Sequence, residues 1–315
     1  MTARLIMKMN VAEVTHSTPE VSIFTFSHPR RRVLPAWTPG AHVDIKLPDG
    51  RVRQYSLCGD PADLSSYRIA VKREHAGRGG SMLIHSAFLT GAEAHVSSPR
   101  NNFPLIAQAQ RHLFVAGGIG VTPVLAMATQ LRREGAEFIV HFCARSSAVA
   151  PLLDPLHEVC GDRLVTWFAS DGRRFSEPSL EEYQPGSHLY ACGPQRLLDD
   201  VNAIAHRRGW GQENVHAEVF QPIVDENFKP EPFDAFILST GQTIRIPADR
   251  TLLDALRDHG LATASSCELG VCGACVCGYR DGVVIHRDVV LPVAARQDRM
   301  TPCVSRARVS VTLDL

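Results

Sequence analysis

Four cysteines near the C-terminus, Cys267, Cys272, Cys275 and Cys303, stand in the order C-x4-C-x2-C followed by a long gap. This is the spacing at which thiolates hold a two-iron, two-sulfur cluster of the plant type, a centre that moves one electron at a time. Each iron needs two thiolates. The segment from Ser265 to Cys275 wraps three of them around one small centre because Gly270 and Gly273 permit close backbone approach. Cys303 then returns from a distant strand as the fourth ligand. A structural zinc site is the competing reading; it also takes four thiolates, but it usually draws them from paired C-x2-C knuckles, and only one such pair is present. Cys277 lies outside the ligand spacing and reads as packing.

At 315 residues the chain exceeds one typical core, so two or three domains are expected. Lysine plus arginine equals aspartate plus glutamate at 33 each, which argues against a general attraction to nucleic acid or anionic lipid. No apolar run approaches the roughly 20 residues of a membrane span, and Met1 to Asn10 lacks the pattern of a secretory signal. Nine cysteines, an odd number with four assigned, point to a reducing, cytoplasmic setting, with Cys58, Cys143 and Cys160 as small buried residues.

The first hundred residues alternate in short runs such as Val21 to Phe26, His42 to Leu47 and Tyr67 to Val71, the pattern of a small antiparallel β-barrel. From Arg111 apolar strands (Leu113 to Ala116, Phe138 to Phe142, Leu164 to Phe168) interleave with helical stretches at Thr122 to Arg133 and Gln195 to Arg207. That alternation predicts a parallel α/β sheet. The segment from Gln221 to Phe233, with its prolines and scattered charges, reads as a linker. The expected organisation is a β-barrel over 1–106, an α/β domain over 107–225, a linker over 226–233 and a cluster-binding domain over 234–315.

Within the α/β part, Leu113 to Pro123 takes a strand into a glycine turn and a helix start, which presents backbone N–H groups to an anion. The spacing is not G-x-G-x-x-G, so the turn alone is a weak nucleotide signal and reads equally as a tight connection. The run Tyr190-Ala191-Cys192-Gly193-Pro194 repeats the arrangement after a later strand, and two such turns on one sheet favour a dinucleotide. In the barrel, Arg53-Gln54-Tyr55-Ser56-Leu57 places an arginine beside an aromatic, which suits phosphate and ring, and Arg78-Gly79-Gly80-Ser81 opens a predicted helix with amides and a hydroxyl for a phosphate. Either segment by itself reads more simply as a surface cross-strand pair and a capped helix start.

These motifs, together with Pro99-Arg100-Asn101-Asn102-Phe103-Pro104-Leu105 and His286-Arg287-Asp288, occur in the order found in a known family. The chain resembles the single-chain reductases of Rieske-type aromatic oxygenases, the phthalate dioxygenase reductase and vanillate O-demethylase reductase family, over essentially its whole length. The resemblance implies an antiparallel flavin-binding barrel, a parallel α/β nicotinamide-binding domain and a C-terminal β-grasp ferredoxin domain. It implies FMN rather than FAD, NADH as donor and a [2Fe–2S] cluster on the four cysteines. Arg53, Gln54, Tyr55, Ser56, Ala70, Val71, Lys72, Gly79, Gly80 and Ser81 are then flavin contacts, with Arg53 toward the phosphate and Ser56 toward the reactive ring edge. Gly117, Gly118, Thr122, Cys192, Gly193 and Pro194 fall to the nicotinamide nucleotide. Phe220 resembles the aromatic residue that covers the flavin until nicotinamide displaces it, and reads alternatively as the end of a core strand; Cys192 reads alternatively as a buried structural thiol. Ser56, Thr122, Cys192 and Phe220 surround the reacting atoms in this scheme. Asp171 is placed at the adenosine ribose, which favours NADH because a carboxylate repels a 2′-phosphate, although Arg145 and Arg173 lie nearby.

Pairing a two-electron donor with a one-electron acceptor calls for a flavin between them. No Rieske histidine spacing, iron triad or haem motif occurs, so oxygen chemistry is expected on a partner, a Rieske-type terminal oxygenase served by a monomeric reductase. Two departures from the family pattern stand out: Val304 follows Cys303 where relatives carry a second cysteine, and Arg287, Arg296 and Arg299 make the expected docking face basic, suited to an acidic patch. The alternative class is a freestanding flavin and iron–sulfur electron-transfer or redox-sensing module that serves no oxygenase.

Overall fold

The computed structural model describes residues 6–75, 77, 79–220, 228–261 and 263–315. Arg78 and residues 221–227, which include the expected domain end at 225 and the start of the linker, lie outside them. The chain divides into two compact units, Met1–Phe220 and Gln221–Leu315.

In the first unit, β1 (Ile6–Thr18), β2 (Val21–Ser27), β3 (Ala41–Lys46), β4 (Val52–Ser56), β5 (Ser66–Lys72), β6 (Glu93–Ser97) and β7 (Arg100–Asn101) form a sheet of order β4-β3-β6-β1-β2-β5, with β7 on β3. The two edges meet where Leu57 bridges Ile69, which closes the sheet into a barrel and removes its open edges. Alternation explains the core: Met7, Met9 and Val11 are buried while Lys8 points outward. Helix α1 (Gly80–Ala87) plugs one side through the fully buried Ile84.

A parallel sheet follows, built from β8 (Arg111–Gly117), β9 (Glu137–Ala144), β10 (Leu164–Phe168), β11 (Ser187–Gly193) and β12 (Val215–Val219) in the order β10-β9-β8-β11-β12. Its central strands β8, β9 and β11 are largely apolar and buried because both faces are covered. Phe114, Ala116, Tyr190 and Cys192 pack against α2 (Val121–Glu134) and α3 (Leu153–Cys160), in a core that also takes in Val21, Cys58, Ala70 and Phe103 from the barrel side. Leu113, Val115, Leu189 and Ala191 pack on the opposite face against α4 (Gln195–Arg207). Barrel and sheet therefore share a core, and Tyr190 Oη accepts a hydrogen bond from the Ile106 amide at 2.8 Å where the connecting loop crosses over.

In the second unit, β13 (Phe233–Ile237), β14 (Thr243–Ile246), β15 (Cys277–Ile285), β16 (Arg299–Met300) and β17 (Arg306–Asp314) form a mixed sheet of order β14-β13-β17-β15-β16, with α5 (Leu252–Asp258) over it. Phe233, read from the sequence as the last linker residue, opens β13 and is fully buried, because its alternation with Ala235 and Ile237 puts all three on the core face. No helix among the described residues is long and apolar enough to cross a membrane.

Candidate redox site

The strand order puts a topological switch point between β8 and β11, since the chain proceeds to β9 and β10 on one side and to β12 on the other. Ligands of such sheets bind in the crevice at the carboxyl ends of those strands. Both glycine turns lie there. A Cβ on Gly120 would stand 2.2 Å from the Cys192 carbonyl oxygen, and one on Gly117 would stand 2.8 Å from Pro194 Cδ. Side chains at these two positions would push the turns apart, so the glycines are what let them close on one another. Thr122, buried at the start of α2, donates its hydroxyl to the Ile119 carbonyl at 3.0 Å and thereby fixes the turn.

From the barrel, β4 pairs antiparallel with β3, matching Arg53 to Ile45, Gln54 to Asp44, Tyr55 to Val43 and Ser56 to His42. A Cβ on Gly80 would lie 2.8 Å from Arg53 Nε, so the arginine side chain rests against the first turn of α1. Gly79 precedes that helix at φ 76°, and no side chain caps the end. A guanidinium beside uncapped helix amides is a cradle for a phosphate. Ser81 Oγ accepts from the Glu74 amide at 3.0 Å and keeps its own proton to donate. Ala70 and Val71 are buried on β5, whereas Lys72 is exposed and ion-paired with Glu74 at 3.0 Å.

Barrel and sheet meet at a carboxyl group to which the sequence reading assigned no role. Glu218 pairs in register with Cys192 across β11 and β12, and hydrogen-bonds the buried hydroxyl of Ser56. Its other oxygen, Oε2, is enclosed and has no partner among the described residues. Burial pushes its pKa up to about 8 against the opposing pull of the Ser56 hydrogen bond. Burial, and secondarily the adjacent Glu218, also raise the Cys192 thiol well above its ordinary value, which keeps it protonated and unreactive. The only signal in the sequence was a glutamate in an inward-facing register with His216 and Phe220. Phe220, just past β12, is partly buried against the shared core. Asp171 sits apart on the exposed turn after β10, two strands from β8, where its carboxylate accepts from Ser170 at 2.7 Å.

In the second unit the four cysteines converge in two pairs. Cys275 and Cys303 Sγ atoms are 3.2 Å apart, and Cys267 lies against Cys272, whose sulfur accepts from the Cys267 and Ala274 amides at 3.5 Å. The Leu269 amide donates to Cys267 Sγ at 3.3 Å. Two thiol pairs wrapped by amides match two irons with two thiolates each. In the loop Glu268 takes φ 56°, a left-handed conformation that is costly for a residue with a side chain, and Gly270 takes φ 75°, which glycine adopts freely. A Cβ on Gly270 would lie 2.7 Å from Val304 and 3.1 Å from the Asp288 backbone. Glu268 is anchored by Arg257 at 2.9 Å, and the buried Asp288 accepts from the Leu291 amide at 2.9 Å and from the Thr301 hydroxyl at 3.2 Å. Cys277 is buried in the sheet core, as its spacing implied.

A barrel with a phosphate cradle, a nucleotide-type crevice and a thiolate cluster loop define an iron–sulfur oxidoreductase of modular construction. Residues 235–308 match the family described as "2Fe-2S iron-sulfur cluster binding domain", and residues 97–215 match "Dimethylamine monooxygenase subunit DmmA-like, N-terminal domain". The chain is 37% identical to the heme-dependent oxidative N-demethylase beta subunit of Ectopseudomonas mendocina (strain ymp), covering 98% of this chain and 99% of that one. It is 38% identical to the vanillate O-demethylase oxidoreductase of Pseudomonas sp. (strain HR199 / DSM 7063), covering 90% and 92%. The solved structure of phthalate dioxygenase reductase, described as modular for electron transfer from pyridine nucleotides to [2Fe-2S], superimposes with a TM-score of 0.82 at 34% identity over 98% of each chain. The chain belongs to this family of oxygenase and demethylase reductase components.

Proposed function

We propose that the chain takes a hydride from NADH onto FMN and passes electrons singly through a [2Fe–2S] cluster to a Rieske-type terminal oxygenase, acting as a monomer in the cytoplasm. The observation that carries this reading is the junction of Ser56, Cys192 and Glu218, where a barrel hydroxyl hydrogen-bonds the carboxyl that pairs in register with Cys192 of β11. When bound, the flavin accepts electrons in pairs and releases them singly, and the cluster relays them one at a time.

The residues divide that work by position. Arg53 and the Gly79–Ser81 turn hold the flavin phosphate. Tyr55 and Ser56 would align the ring, with the Ser56 hydroxyl toward its reactive edge. The Gly117–Gly120 and Cys192–Pro194 turns hold the nicotinamide end of the dinucleotide, leaving Asp171 for the adenosine ribose. Protonated Cys192 and Glu218 keep the junction uncharged near neutral pH, so positioning rather than acid–base chemistry sets the rate. Phe220 would cover the flavin until nicotinamide displaces it. Cys267, Cys272, Cys275 and Cys303 hold the cluster. FMN, as against FAD, rests on the family order of the motifs, and the cytoplasmic setting rests on nine cysteines with no disulfide framework.

The test is an anaerobic NADH titration of the purified chain followed by absorbance, with extraction of flavin and iron. Flavin bleaching with partial loss of cluster bands and about two irons per chain supports the reading; zinc in place of iron, or no flavin, refutes it. Reduction by NADPH alone overturns the donor. A second reading concerns the acceptor alone: a relative of nearly full coverage is named as subunit of a heme-dependent enzyme, so a haem oxygenase is the other candidate. Reconstitution with purified Rieske and haem oxygenase components separates the two.

A further inference from the structure

Beside the cluster ligand Cys303, the second unit has an open cavity of about 210 Å³ whose lining includes Arg250, Arg287, Arg306, Asp249 and Ser305. Arg306 is 6% exposed, and its guanidinium is held by neutral acceptors: Nη1 donates to the Arg250 carbonyl at 2.7 Å, Nη2 to the carbonyls of Glu231 and Pro247 at 2.9 Å each. Its Nε finds no acceptor among the described residues. The face of Phe233, 5.0 Å away, offsets part of the charge. Arg287 stacks over Phe228 at 4.0 Å. Neither Arg287 nor Arg306 has a carboxylate within ion-pair distance among the described residues, whereas Arg250 is paired with Asp258 at 2.6 Å.

A buried cation without a counter-charge costs several kcal/mol unless something neutralises it. Burial and then the neighbouring Arg287 lower the pKa of Arg306, and the Asp249 carboxylate, beyond ion-pair distance, offsets them only in part. Among the side chains of the described residues, the three guanidiniums stand against the carboxylates of Asp249 and Asp258, which leaves one positive charge over. The volume admits a group of a few heavy atoms, and a planar guanidinium pair is matched in shape by a carboxylate.

We propose that this cavity is a carboxylate-binding site beside the cluster, filled by a single carboxylate that Arg287 and Arg306 neutralise. The carboxylate comes either from a small free acid or from an acidic side chain of a docking protein.

Isothermal titration of the full-length holoprotein at low ionic strength tests it, with acetate as the free carboxylate and a capped pentaglutamate peptide as the side-chain source, against sodium chloride at matched ionic strength. The expected result is saturable one-to-one binding of at least one probe, weakened about tenfold or more in Arg287→Gln, a loss of roughly 1.4 kcal/mol. Acetate binding identifies a free acid as sufficient; binding of the peptide alone identifies a protein side chain. Arg306→Lys, which keeps the charge but not the fork, is expected to weaken the same probe, with the visible circular dichroism of the cluster confirming a folded domain. No binding beyond chloride, or equal binding in Arg287→Gln, overturns the proposal. So does a shifted cluster potential in Arg287→Gln without any probe binding, which would make the guanidiniums counter-charges of the cluster.

Discussion

Replacing Glu218 by glutamine removes a titration that the fold has displaced from an ordinary 4.5 to about 8 while keeping the shape and the Ser56 contact. A carboxyl whose folded pKa is raised favours folding below its unfolded pKa, and that advantage is lost as pH rises through the folded value. The displacement of 8 minus 4.5 pH units, at about 1.36 kcal/mol each, sets a loss of roughly 5 kcal/mol between about pH 4.5 and pH 8. By pH 7 about 3 kcal/mol of it has already gone. Trp37, Trp167 and Trp210 all lie in the first unit, so tryptophan fluorescence during urea unfolding reports that unit alone. Glu218→Gln should therefore lose less stability than the parent from about pH 5 to pH 9, with the gap opening by several kcal/mol. Parallel pH profiles, differing by less than about 0.5 kcal/mol in slope over the range, would refute the buried neutral carboxyl.

Gly120→Ala drives a methyl into the Cys192 carbonyl, which is backbone and cannot swing away, so a stability loss of about 1–3 kcal/mol or more is expected, together with weaker NADH binding in a fluorescence titration. Arg257→Ala strips the ion pair from Glu268, whose side chain is 5% exposed; the second unit should lose about 3–5 kcal/mol, read as earlier thermal loss of the cluster's visible dichroism, with Arg257→Lys recovering part of it. Cys303→Ser breaks one thiol pair, and iron content should fall from about two per chain toward none while flavin content stays unchanged. Unchanged iron in that variant would remove Cys303 from the ligand set.

Features that depend on residue spacing along the chain were legible without coordinates. The C-x4-C-x2-C run had to bring three thiols together, because so few intervening residues leave little choice. Helix α4 spans Gln195–Arg207, the stretch its periodicity marked, and the glycine turns sit at strand ends where their residue types placed them. What the sequence could not disclose depends on neighbours far apart in the chain. The strand order that makes a crevice between β8 and β11 is a matter of which strands pair, and pairing is paid for by long-range burial rather than local preference. Glu218 looked like any strand carboxylate until Ser56 from the barrel and Cys192 from β11 closed over it; only enclosure by those two separates its pKa from that of a surface glutamate. Arg306, in the same way, is one arginine among many in the sequence, and becomes a buried cation because the carbonyls of Glu231, Pro247 and Arg250 converge on it from three other places in the fold. Local spacing determined which chemistry this chain carries, and tertiary enclosure decided which of its charges that chemistry meets.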